Sequence, residues 1–197
     1  MKKLTILFMI LLLTGCTVVR IDTKSIDNIT NVVLSKENNI FNRVGKGYKY
    51  YIPRGVSYID TTELNDKLYS NGVYYYLYVD AVSYYYKTKT EYKENKELYY
   101  SKKITGAKDG YLEITKEEND YYIVFVYNYA KIEAKVSKDK IEEVVLNASY
   151  ILSTVKFNDS IVGLMLDNDY FTNKEEQYDV FSKKNENNNF LIDEEEK

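Results

Sequence analysis

Histidine and tryptophan are absent from this chain of 197 residues, and cysteine and proline occur once each, as Cys16 and Pro53. Without histidine there is no side chain whose ordinary pKa lies near neutrality. Ser-His-Asp triads, Cys-His dyads and nearly all zinc sites are thereby removed. A single cysteine leaves no intramolecular disulfide to consider. The formal net charge is −3 and the lysines and arginines form no stripe, so the electrostatic footprint for a phosphate backbone is missing and nucleic acid is not an expected partner. GxSxG, P-loop and dinucleotide fingerprints are also missing, and Gly45-Lys46-Gly47 is too short to cradle a phosphate. No cofactor is expected.

Carboxylates are what remains for acid-base chemistry. A glycosidase-type pair needs two of them about 5 to 9.5 Å apart across a cleft. Asp80 is the candidate, because it falls among tyrosines in a stretch that reads as strand, and Glu133 between Ile132 and Ala134 is a second. The plainer expectation for both is a solvent-facing carboxylate or one that accepts from tyrosine hydroxyls. The acidic stretches 167–169 and 193–196 lack the spacing of a calcium loop, so no metal site is expected.

The chain begins with Lys2 and Lys3, an apolar stretch from Leu4 to Leu13, and then Thr14-Gly15-Cys16. A charged start, an apolar run and small residues before a cut are the parts of a removable export signal. A membrane-crossing helix needs roughly 20 apolar residues, and this run is interrupted by Thr14 and followed by Arg20 and Asp22. The sequence Leu13-Thr14-Gly15-Cys16 resembles the lipobox of bacterial lipoproteins. The resemblance implies diacylglycerol on the Cys16 thiol, cleavage after Gly15, and anchoring on the outer face of the cytoplasmic membrane. Two acyl chains suffice for stable attachment where one does not. Loss of Lys2 and Lys3 would take the net charge to about −5.

With 45% hydrophobic and 29% charged residues, the remainder suits one globular domain. Residues 16–24 read as a lipidated tether, 25–183 as a single α+β domain and 184–197 as a disordered acidic tail that cannot bury enough apolar surface to offset chain entropy. Ile26, Ile29, Val32, Val33, Ile40 and Phe41 predict a helix over 25–42, broken near Asn38-Asn39, with Thr23 or Ser25 as N-cap. Tyr48 to Ile52 predicts a strand stopped by Pro53. The stretch 55–72 reads mostly as loop, with a short strand at 56–59 and a polar loop or helical turn at 62–68.

Val73 to Tyr86 predicts the longest strand. Its alternation places Tyr74, Tyr76, Tyr78 and Asp80 on one face, and Val73, Tyr75, Leu77 and Val79 on the face that meets the helices. Strands at 98–104, 111–115 and 121–129 follow, the last running past a bulge at 128–130 into 131–136. Tight turns between them imply an antiparallel meander. Ile141, Val144, Val145, Ala148, Ile151, Leu152 and Val155 form an amphipathic helical stripe, with Asp139 and Glu142 at capping-box spacing. Thr172 to Ser182 predicts a second, weaker helix.

Tyrosine is the abundant residue, at 23 positions. Exposed on a sheet, such rings offer rigid area with a polar tip to a sugar or a protein; in β-rich domains they also pair across strands. Tyr74, Tyr76, Tyr78 and Asp80 are therefore the candidate binding surface. The order of elements, the Pro53-Arg54-Gly55 strand end and the closing Ile151-Leu152-Ser153-Thr154-Val155 resemble the PsbP-like α+β sandwich over Tyr48 to Phe157. Tyr75 to Asp80 and Tyr127 to Ala134 are similar to stretches in lipoproteins of low-GC Gram-positive bacteria. The first resemblance implies a structural core and the second an accessory or binding role without an assigned activity; no catalytic activity is expected. The expected partners are the membrane, through the N-terminal lipid, and an envelope protein or glycan. The alternative is a carboxylate-dependent enzyme acting on cell-envelope glycans. A two-lobed solute receptor is disfavoured by the chain's length.

Overall fold

The computed structural model describes residues 22–62 and 64–167. The chain is an α+β protein built on a seven-stranded antiparallel sheet in the order β3-β4-β5-β9-β8-β7-β6. Its strands are β3 (Ser57–Thr62), β4 (Asn65–Ser70), β5 (Val73–Val79), β6 (Tyr100–Ile104), β7 (Gly110–Glu117), β8 (Asp120–Tyr127) and β9 (Ala130–Val136). A smaller antiparallel sheet joins β1 (Arg43–Val44), β2 (Tyr48–Tyr50) and β10 (Lys156–Phe157).

Helices α1 (Ile26–Leu34) and α3 (Ile141–Thr154) pack on each other, and α3 lies against β8 and β9. The apolar stripe of α3 dictates this. Ile141, Val144, Val145, Ala148, Ile151 and Leu152 are all buried, and they meet Val73, Tyr75, Leu77 and Val79 of β5, Phe125 of β8 and Ile132 of β9 in one core. The predicted core face of β5 is thus the observed one. Ser25 caps α1, its hydroxyl accepting from the Asn28 N–H. The helix stops at Leu34, short of the expected Asn42.

Four local expectations are corrected. The stretch 55–72 is not loop but the β3–β4 pair, followed by a hairpin into β5 whose turn residues Asn71 and Gly72 have φ of 49° and 83°. Asn-Gly with two positive φ values is the turn whose twist matches paired strands. β8 and β9 are not one bulged strand: Asn128 and Tyr129, at φ 55° and 59°, reverse the chain between them. Asp139 does not cap α3; it lies in a 3₁₀ turn, Lys138–Lys140, ahead of it. β5 ends at Val79, and 81–86 forms helix α2 (Ala81–Tyr86).

That last change has a specific cause. The Asp80 side chain accepts from the Ser83 N–H at 2.7 Å, an N-cap contact that turns the chain out of the sheet. Lys87, at φ 54°, closes the helix by donating its N–H to the Ser83 and Tyr84 carbonyls. Tyr84 then stacks on Phe157 of β10 at 3.9 Å and donates to Asp159 at 2.5 Å, which ties α2 to α4 (Asp159–Asp167). Helix α4 is not among the elements that the sequence periodicity predicts. The weaker helix expected at 172–182 and the acidic tail at 184–197 lie outside the described residues, as do the leader and Cys16.

Candidate binding face of the sheet

The face of the large sheet turned away from α1 and α3 carries polar and aromatic side chains in cross-strand rows. Asn65, Tyr78, Lys131, Val126, Tyr111 and Lys103 form one row, in register from β4 through β5, β9, β8 and β7 to β6. Lys67, Tyr76, Glu133, Val124 and Glu113 form the next. Lys131 and Glu133 sit two apart on β9, so the strand's alternation delivers both to this face. Their side chains pair at 2.7 Å, with 7% and 9% of their surface exposed. A pair this buried persists because each charge compensates the other, and removing one partner leaves an uncompensated ion.

Tyrosines surround that pair. The Lys131 ammonium lies 4.6 Å from the Tyr78 ring centre. Burial, and then the Glu133 carboxylate, push the Tyr78 and Tyr122 hydroxyls well above the usual phenol range. Both hydroxyls therefore lie within the influence of the Glu133 carboxylate. Glu133 is thus a buried carboxylate paired with a lysine and close to two phenols. The Tyr92 ring, from the β5–β6 connection, stacks on Tyr111 at 4.2 Å and covers this end of the face.

The four candidate residues of the sequence reading are separated by the structure. Tyr74 is 44% exposed, whereas Tyr76, Tyr78 and Asp80 are 4%, 3% and 1% exposed. Asp80 is not a mid-strand carboxylate at all, since it caps α2. The part of the surface open to solvent is Tyr74 with Tyr69, their rings 5.1 Å apart, and Lys67, whose ammonium stands 4.5 Å from the Tyr74 ring centre. Beside them lies a cavity of about 180 Å³, bordered by Ile59, Asp60, Asn65, Lys67, Tyr76 and Tyr78 among others. Tyr76 and Tyr78 thus contribute from beneath rather than as an exposed array.

Asp66 borders the same cavity but points its carboxylate to the core side. It accepts from the Tyr50 hydroxyl at 2.6 Å, the Tyr48 hydroxyl at 3.2 Å and the Thr61 hydroxyl. Burial first, and Asp66 second, push the Tyr48 and Tyr50 hydroxyls far up. Sequence reading missed this cluster because its members come from β2, β3 and β4, which no local pattern links. The Lys131/Glu133 pair had a legible signal in its i, i+2 spacing. Among the described residues, no group of three or more His, Cys, Asp or Glu is placed to hold a metal, and no helix is long and apolar enough to cross a membrane.

Fold and face together define a helix-backed antiparallel sheet with an aromatic, internally paired outer side. Compared with known proteins, the chain matches no family model and no curated protein.

Proposed function

We propose that the protein is a lipid-anchored factor of the outer face of the cytoplasmic membrane, which binds an envelope protein or glycan rather than transforming one. The observation that carries the address is the run Lys2-Lys3, Leu4 to Leu13, Leu13-Thr14-Gly15-Cys16, with Cys16 as lipid acceptor. The PsbP-like likeness of Tyr48 to Phe157 belongs to the same reading as a structural core, and the likeness of Tyr75 to Asp80 and Tyr127 to Ala134 to lipoprotein stretches implies the accessory role. Binding is assigned to the open end of the outer sheet face, where Tyr74, Tyr69 and Lys67 stand beside the cavity above Tyr76 and Tyr78. Rigid aromatic area next to hydrogen-bonding groups suits a sugar ring or a protein side chain.

The enzymatic alternative has one observation in its favour, since Asp60 and Asp66 border one cavity. Asp66, however, already accepts from three hydroxyls and ties β2 and β3 to β4, which leaves it a structural acceptor. The test is a photo-crosslinking residue at position 74 on intact cells, with one at Tyr86 as control, because Tyr86 is 68% exposed on a different element. Adducts specific to position 74 support the reading. Identical adduct patterns at both positions contradict it.

A further inference from the structure

The three-stranded sheet exposes a face of unusual make-up. Register places Val44, Lys49 and Lys156 in one row across β1, β2 and β10. On the neighbouring strand positions Tyr48 and Tyr50 are buried, so this row is the outward side. Val44 is 66% exposed, and Ile40, Phe41 and Ile161 lie open beside it at 40–50%. The Lys49 ammonium stands 4.1 Å from the Phe41 ring centre. A groove of about 210 Å³ on this face is lined by Val44, Lys49, Lys156, Phe157 and Ile161 among others, with two lysines and no carboxylate in its lining. Lys46 adds a further positive charge in the β1–β2 turn. Lys156, whose ammonium donates to the Asn39 side-chain oxygen, also disfavours the Lys108 ammonium, whose pKa is lowered by burial first and by Lys156 second, with Glu37 opposing.

Exposed apolar side chains ringed by lysines match an acidic bilayer surface, where rings and aliphatic tips enter the interface and ammonium groups meet phosphates. The charge is local, since the chain as a whole is acidic. Covalent geometry puts it within reach. The ten residues from Cys16 to Ser25 span at most about 33–36 Å, and the nine-residue α1 spans about 13 Å more before the chain reaches Ile40 and Phe41. We propose that the Val44–Lys49–Lys156 face docks on the acidic phospholipid surface of the membrane that carries the anchor, fixing which side of the domain faces outward. The inference rests on the lipid-anchor reading. Tethering raises the local concentration of the surface, so even a weak contact orients the domain.

The test uses the chain from residue 16 with Cys16→Ser, so that no lipid contributes, and sedimentation with vesicles of phosphatidylcholine alone or with about one-third phosphatidylglycerol. Binding to the acidic vesicles that weakens with salt is expected, with a loss of about five-fold or more in Lys49→Glu. Lys135→Glu, the same charge change at an exposed site on β9, should leave binding unchanged. Equal binding to both vesicles, no binding, or equal losses in the two variants overturns the proposal. Capture of soluble polyphosphate without vesicle binding overturns it too, in favour of a polyanion partner. None of these outcomes bears on whether wild-type Cys16 is lipidated, which is read separately from its N-terminal mass.

Discussion

Tyr74 and Tyr78 project from the same side of β5, yet one is 44% exposed and the other 3%. The difference lies in neighbours: Tyr74 is opposite Tyr69 near the hairpin end, whereas Tyr78 is flanked by Asn65 and Lys131 in the middle of the sheet. Tyr74→Ala should therefore change unfolding free energy by no more than about 0.5 kcal/mol, and Tyr78→Ala should cost about 3–5 kcal/mol, both read by urea denaturation. Equal costs would mean that the face is not divided as described. Phenol ionisation gives a second handle. Burial pushes the Tyr75 hydroxyl up to about 12, against an opposing hydrogen bond from Asn147. The folded chain keeps a proton that the unfolded chain releases near pH 10. Stability should stay level below pH 10 and fall as pH rises toward 12, with Tyr75 alone contributing a loss of about 2–3 kcal/mol by pH 12. Denaturation midpoints that do not move between pH 9 and 11.5 would contradict this.

At the level of elements, the sharpest constraint is where β7 meets β8. A Cβ at Gly110 would lie 2.1 Å from the Val126 carbonyl oxygen, a backbone atom that cannot rotate away. Gly110→Ala should push the strands apart and cost roughly 2–3 kcal/mol by thermal or urea unfolding; a neutral substitution would mean that the β7–β8 register is wrong. The elements also show what the sequence makes legible. The α3 stripe and the β5 alternation each rest on side chains facing one continuous core, so periodicity alone placed Val144, Ile151, Tyr75 and Leu77 inside. Where a short polar contact decides, periodicity misleads: Asp80 alternates with the tyrosines as a strand residue would, but its N-cap bond turns the chain into α2. Asn71-Gly72 is a readable hairpin signal between β4 and β5. The Asp66 cluster and the Val44–Lys49–Lys156 row assemble from segments far apart in sequence, and nothing local announces either.

For the whole molecule, the two proposals assign different roles to the outer face of the large sheet and the outward face of the small one. One presents Tyr74, Tyr69 and Lys67 beside a cavity, and the other presents lysines and apolar tips. Under the proposed anchor, the domain would meet the membrane through the small sheet and leave the Tyr74 face for a partner. All of this depends on the chemistry of one residue. The most direct measurement is the mass of the N-terminal peptide of the protein purified from the membrane of its own cells. The peptide should begin at Cys16 and carry the mass of a diacylglyceryl group, lost in Cys16→Ser. A free Cys16 thiol within a chain that still begins upstream of Gly15 would contradict the lipid anchor.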